Sequence, residues 1–300
     1  MSKTRLKKRL TEGLFLLDGA MGTQLIAQGI EPGKCNELIN LESPGIVLRI
    51  HNAYLEAGSD AVVTNTFGGN GFTLTRHGLL KKITDINKSA AKVAKKAAGG
   101  TKYVLGNIGP SGDFLEPVGH LKPDQLVTAF GNQAKALVAG GIDGFIIETM
   151  SAVDEAILAL KAAKSAGGEL PILASMAFDK RGNDFRTMMG IDVKHAVSAL
   201  IAAGADAVGF NCGTATLDDY VELAKKYVAV VKATKKDVLI FAEPNAGMPL
   251  VTDGKAVYKV TPDEFASAGK KIYDAGVTII GGCCGTGPEH IKALYEKIRG

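Results

Sequence analysis

The stretch Val193-Lys194-His195-Ala196-Val197-Ser198-Ala199-Leu200-Ile201-Ala202-Ala203-Gly204-Ala205-Asp206-Ala207-Val208-Gly209-Phe210-Asn211 carries the plan of the whole chain. Its first half places apolar residues three and four apart, which predicts a helix over 193–203 with one face in a core. Ala203-Gly204 then stops it, because glycine adopts the left-handed conformation just past a helix end without a Cβ clash. Residues 207–211 follow as a short apolar run without polar alternation, the reading of a parallel strand covered on both faces. The same AlaGly stop recurs at Ala57-Gly58 and Ala275-Gly276.

Outward from that unit, short apolar segments recur at 14–18, 61–65, 103–107, 144–148, 172–177, 207–211, 238–243 and 277–281. Between them lie amphipathic patterns at 82–97, 123–139, 154–165, 217–232, 262–275 and 288–298. Pro123, Pro262 and Pro288 fall just inside helix starts, where a missing N–H costs nothing. Eight strand–helix units in series predict a closed (β/α)₈ TIM barrel, with residues 1–300 as one domain. A doubly wound sheet is the alternative. The longest interval, from Asp18 to Ala61, predicts a helix plus an extra loop at the barrel mouth.

The 300 residues suit such a barrel, which runs to about 250. The hydrophobic fraction is 46%, Trp is absent, and the 37 glycines show no collagen period, so they read as turn residues. The net charge is +4 with basic residues dispersed, except for Lys3, Arg5, Lys7, Lys8 and Arg9. That cluster reads as a solvated first helix rather than a transit or nucleic-acid arm. No apolar run approaches the ~18 residues needed to span a membrane, and no signal-peptide core follows the basic start. A soluble cytoplasmic chain, with neither nucleic acid nor membrane as partner, is expected.

Four cysteines in a chain this long do not make a disulfide scaffold and point to metal or catalysis. Cys212 ends the sixth strand, and Cys283 and Cys284 end the eighth. In a (β/α)₈ barrel, active sites sit at the C-terminal strand ends, so the three sulfurs can converge at the mouth. Gly281-Gly282 and Gly285 give the backbone freedom to turn both adjacent cysteines toward one ion. Three thiolates satisfy a tetrahedral zinc and leave its fourth position open to an incoming thiol, which coordination deprotonates. The competing reading makes all three buried small hydrophobes. A thiol redox pair lacks the CxxC spacing, and a purely structural zinc needs a fourth ligand. Cys35, in the first long loop, reads as an ordinary free thiol.

Asp18-Gly19-Ala20-Met21-Gly22-Thr23, Asn65-Thr66-Phe67, Gly209-Phe210-Asn211-Cys212-Gly213, Glu243-Pro244-Asn245-Ala246-Gly247 and Gly281-Gly282-Cys283-Cys284-Gly285-Thr286 together resemble the homocysteine S-methyltransferase family. The likeness runs nearly the whole length and is strongest to homocysteine-binding barrels of the cobalamin-dependent type. It implies a zinc enzyme that methylates homocysteine to methionine, with Cys212, Cys283 and Cys284 as catalytic metal ligands. It implies that Asp18 and Glu148 face the substrate ammonium, that Ala20, Met21, Gly22 and Thr23 meet its carboxylate at a helix start, and that Asn65 also contacts substrate. Asn245 resembles the residue that occupies the metal when substrate is absent. Other roles stay open: a helix cap for Asp18, a structural barrel residue for Glu148, a turn residue for Asn245.

Ala177, where relatives often carry Thr, and the stretch Arg186-Thr187-Met188-Met189-Gly190 depart from the family pattern. No folate, cobalamin or activation module is expected after Gly300, and the methyl group is expected from methylcobalamin or another methylcorrinoid on a separate protein. S-methylmethionine, a betaine or S-adenosylmethionine is the alternative donor. Met188-Met189 is expected near an open mouth, where adaptable methionine suits a large carrier.

Overall fold

Ala207–Asn211 pairs in parallel on both sides, Leu173 to Ala207 with the preceding strand and Asn211 to Glu243 with the following one. That arrangement repeats around the computed structural model, which describes residues 4–252 and 255–300. Lys3 of the basic start lies outside the described residues. The strands are β1 (Phe15–Leu16), β2 (Ala61–Val63), β3 (Tyr103–Ile108), β4 (Gly144–Met150), β5 (Ile172–Met176), β6 (Ala207–Asn211), β7 (Leu239–Glu243) and β8 (Ile279–Ile280). They hydrogen-bond in the order β1-β8-β7-β6-β5-β4-β3-β2, all parallel. The ring of helices is α1 (Pro44–Glu56), α2 (Ile83–Ala98), α3 (Pro123–Gly140), α4 (Val153–Gly167), α5 (Val193–Ala202), α6 (Leu217–Thr234), α7 (Pro262–Asp274) and α8 (Pro288–Arg299). The expected (β/α)₈ barrel is what forms.

The seam between β1 and β2 closes through one backbone hydrogen bond and several from side chains. The Asp60 N–H donates to the Leu16 carbonyl at 2.7 Å, and the Asp60 carboxylate accepts the Leu16 N–H at 2.9 Å. Arg9 and Arg299 also donate to that carboxylate. At the upper end, the Asp18 carboxylate accepts the Val63 N–H at 2.9 Å.

Gly58, Gly204 and Gly276 all have positive φ, as the AlaGly stops require. Pro123, Pro262 and Pro288 open their helices, joined by Pro44. The strands bury both faces. Their inner side chains, among them Phe15, Leu105, Ile146, Leu173 and Phe241, fill the barrel, and the outer ones pack under the helices. Gly209 leaves the space that the Phe241 ring occupies.

The basic start is more than a solvated helix. Leu6–Arg9 forms one turn whose Leu6, with Leu10, is buried in the barrel interior and plugs its floor. Lys7 pairs with Asp206 at 2.9 Å on the outside. The interval from Asp18 to Ala61 holds more helix than expected: Met21–Ala27, a 3₁₀ turn at Asn36–Leu38, Ile39–Glu42 and α1. Two antiparallel hairpins, Asp179–Arg181 with Asp184–Arg186 and Leu250–Thr252 with Lys255–Val257, extend the connections after β5 and β7. Among the described residues, no helix is long and apolar enough to cross a membrane.

Candidate functional site

A cavity of about 390 Å³ opens among the C-terminal strand ends. Cys212, Cys283 and Cys284 line one side of it. Their sulfurs lie within 4.8 Å of one another, with Cys212 Sγ to Cys284 Sγ at 3.9 Å and Cys283 Sγ to Cys284 Sγ at 4.0 Å. These are too long for a disulfide. They match three vertices of a tetrahedral thiolate site, for which bonds of ~2.3 Å put sulfurs about 3.8 Å apart.

Local backbone explains the convergence. Cys212 has φ +54° and Gly213 φ +78°, so the chain turns sharply off β6. Such a φ is strained for a residue with a side chain, and strain of this kind concentrates at functional sites. Gly285, at φ +81°, turns the chain after Cys284. Gly281 and Gly282 serve differently from the sequence expectation, since neither has positive φ. A Cβ on Gly281 would meet Leu17 at 2.6 Å, and one on Gly282 would meet the Thr286 hydroxyl at 2.5 Å, so both admit close approach.

The loop is pinned to the first strand end. Thr286 Oγ1 donates to the Cys283 carbonyl and accepts the Ala20 N–H, while Thr23 Oγ1 accepts the Gly285 N–H. Within the trio, Cys212 is pulled down to about 3 by hydrogen bonds from the other two thiols, whereas Cys284 is pushed up to about 11 and Cys283 also rises.

The same cavity holds three carboxyls, Asp18 and Glu243, both buried, and the half-buried Glu148. Burial raises all three, Glu148 to about 7, and Glu243 is lifted further by Glu148 and Asp18. No Lys, Arg or His is among the described residues lining the cavity. Glu148 accepts from Asn107 Nδ2 at 2.6 Å and from Asn211 Nδ2 at 2.9 Å, while Glu243 Oε2 has no partner among the described residues. A register shift in β4 between Ile147 and Met150 aims Glu148 inward, with Thr149 at φ +62°.

Asp18, Ala20, Met21, Gly22, Thr23, Asn65, Glu148 and the three cysteines all line this cavity, so the structure brings together nearly every residue singled out from the sequence. Asp18 does not cap the helix Met21–Ala27, which begins after Ala20 without a side-chain cap. The Ala20 N–H is already engaged by Thr286, and Asn65 Nδ2 holds the Asn36 carbonyl. Asn245 lies beside Cys212. Its Nδ2 donates to the Gly213 carbonyl, its side chain also reaches Cys212, and its buried Oδ1 has no partner among the described residues. An orphaned acceptor on a side chain that touches Cys212 suits a metal. Cys35 stays apart, its thiol donating to Glu37 at 3.3 Å. Met188 and Met189 are exposed in the connection after β5.

Glu243, Asn107, Thr149 and Glu37 line the cavity although the sequence reading assigned none of them a role. Glu243 carried a readable signal, an acid ending an apolar run just as Glu148 does.

A profile of the homocysteine S-methyltransferase family matches residues 15–298. Methionine synthases from Mycobacterium tuberculosis and Mycobacterium leprae are each 31% identical, over 96% and 98% of this chain and 25% of their own length. The chain thus spans about a quarter of these curated relatives. Among solved structures, the metallated form of the homocysteine methyltransferase MmuM from Escherichia coli superposes with a TM-score of 0.79 at 22% identity, covering 99% of this chain and all of that one. A methyltransferase from Methanosarcina mazei gives 0.62 at 14% identity, covering 99% and 98%. At those identities the structural likeness speaks for the fold. The family match covers every strand of the barrel and all three clustered cysteines, and the chain belongs to the homocysteine S-methyltransferase family.

Proposed function

We propose that this chain methylates the thiol of homocysteine to give methionine, with zinc held by Cys212, Cys283 and Cys284. The observation that carries the reading is the pairing, in one cavity, of three converging sulfurs with three acids and no cationic side chain among the described residues of its lining. When bound, zinc supplies Lewis acidity that lowers the pKa of a substrate thiol, so that its sulfur reacts as a thiolate. Glu148, Asp18 and Glu243 bind the substrate ammonium, which relieves the cost of burying their own charge. Residues 20–23 flank the site with the start of the helix Met21–Ala27, whose N–H groups suit the substrate carboxylate. Asn65 orders the loop beside it, and Asn245 offers its unpartnered Oδ1 to the metal while the substrate is away. The same reading places the chain in the cytoplasm, where free thiols persist.

A methylcorrinoid on a separate protein is our proposed donor. Among the described residues, the large exposed hydrophobics, Phe67, Met188, Met189, Met248 and Leu250 among them, fall in strand-to-helix connections on the mouth side. An apolar rim of that kind marks an interaction surface. The test is methionine formation by the zinc-loaded chain with methylcobalamin, S-methylmethionine, a betaine and S-adenosylmethionine, each in turn. Demethylation of methylcobalamin that requires both homocysteine and zinc supports the full reading. Turnover with a small donor and none with any methylcorrinoid overturns the donor and keeps the homocysteine assignment. No methionine from any donor, with zinc bound, overturns both.

A further inference from the structure

Asn211, the residue before Cys212, is fully buried and touches the ends of β4 and β5 and the loop after β8. Its Oδ1 accepts the Thr149 N–H at 2.8 Å and the Ser175 hydroxyl at 2.7 Å. Its Nδ2 faces Glu148 Oε2 at 2.9 Å, Thr149 Oγ1 at 2.7 Å and Cys283 Sγ at 3.6 Å. One planar amide therefore holds an acid from β4 and a sulfur from the loop after β8, and is itself clamped from β4 and β5. Thr149, a β-branched residue at φ +62°, is held in that strained conformation by the same amide through two bonds.

A thiol amino acid that binds at both ends must span the distance from the acid to the sulfur cluster. Homocysteine has three carbons between nitrogen and sulfur, and cysteine has two. A site whose two ends are rigidly coupled accepts one length and rejects the other, and one methylene is worth about 10–200-fold in such a site. A loosely coupled site lets the acid drift inward and takes both.

We propose that Asn211 is a specificity-determining residue that fixes the spacing between Glu148 and the cysteine cluster, so that the site selects homocysteine over cysteine. This rests on the homocysteine reading above. Asn211 acts as a positioning residue through Glu148 and Cys283.

The test is calorimetric titration of the zinc-reconstituted chain with homocysteine, cysteine and 1-propanethiol. Asn211→Asp keeps the side-chain shape and an Oδ1 acceptor for Thr149 and Ser175, and removes the N–H₂ donor. Ser175→Ala removes only an outer clamp and guards against an Asn211 variant that does not fold. Wild type should prefer homocysteine over cysteine by about tenfold or more. Asn211→Asp should bring that ratio to within about threefold, with 1-propanethiol changed less than about twofold and zinc still at one per chain. Ser175→Ala should move the ratio the same way by a smaller factor. An unchanged ratio in both variants overturns the proposal, as does equal weakening of all three ligands, or loss of zinc, which would make Asn211 a scaffold residue. Wild type that binds 1-propanethiol but gains nothing from the amino-acid end of homocysteine would overturn the substrate reading itself.

Discussion

Glu148→Gln tests how the amino end of the substrate is held. The carboxylate sits half-buried in the cavity wall, its two oxygens already accept from Asn107 and Asn211, and no cationic side chain is among the described residues lining the cavity. An arriving ammonium adds a charge-assisted hydrogen bond, worth about 1.5–3 kcal/mol, which is roughly ten- to hundredfold in affinity. Glutamine keeps the shape and removes the charge. It must also turn its own N–H₂ toward either Asn107 Nδ2 or Asn211 Nδ2, so one existing hydrogen bond is lost whatever ligand is present. The two effects separate by ligand. Calorimetric titration of the zinc-loaded variant should show homocysteine weakened roughly ten- to hundredfold. 1-Propanethiol, which lacks the amino group, reports only the shared loss and should change less than about threefold. Equal weakening of both thiols would refute the reasoning and leave Glu148 as a support of the barrel wall.

Cys212→Ala, Cys283→Ala and Cys284→Ala should each abolish tight zinc binding and methyl transfer while circular dichroism stays that of the wild-type barrel; a variant keeping one zinc per chain with turnover would remove that residue from the ligand set. Asp60→Ala should destabilise by about 3 kcal/mol in urea unfolding, because it removes the acceptor for the Leu16 N–H and for Arg9 and Arg299 at the β1–β2 seam; a change below about 1 kcal/mol would show that the seam closes without it. His51, buried with neither ring nitrogen partnered, is pulled down to about 4 by burial alone. A base with a depressed folded pKa contributes stability above its unfolded value of about 6.5 that is lost as pH falls toward 4, so by pH 5 the wild type should have lost about 2 kcal/mol that His51→Leu keeps; parallel pH–stability curves would exclude His51 as the cause.

The strands were legible because a strand covered on both faces leaves an uninterrupted apolar run, and all eight runs became strands. Their lengths were less legible. β1 and β8 hold only two residues each, against five expected for each. The β1–β2 edge is joined largely through Asp60 and Asp18, side chains 44 and 45 residues from their backbone partners. No local pattern announces such a contact. The hairpin Asp179–Arg181 with Asp184–Arg186 went unread because its strands are mostly polar, although Gly182-Asn183 between them is a turn signal. The plug under the barrel was hidden by charge: Lys7, Lys8 and Arg9 dominate the composition of that turn, while Leu6 and Leu10, four apart, are what the fold uses.

The sulfur cluster was readable and the acid cluster only in part, and the difference is physical. Cysteine is scarce here, so three of four at two strand ends stand out by type alone. Acids are common, and an acid at a strand end usually means a surface or a salt bridge. What sets Asp18, Glu148 and Glu243 apart is a negative fact that spans the barrel: strands far apart in sequence deliver three carboxyls to one cavity, and none of the described residues delivers a cation to its lining. Left alone, such a group is costly, which is why burial holds all three toward their protonated forms. A chain that keeps an arrangement unfavourable to its own stability at the open end of its barrel is poised for a ligand that supplies the missing positive charge. The amino-acid thiol proposed above carries that charge at one end and, at the other, a donor for a metal that the cysteine cluster could hold. The two clusters therefore describe one substrate better than either describes a separate site.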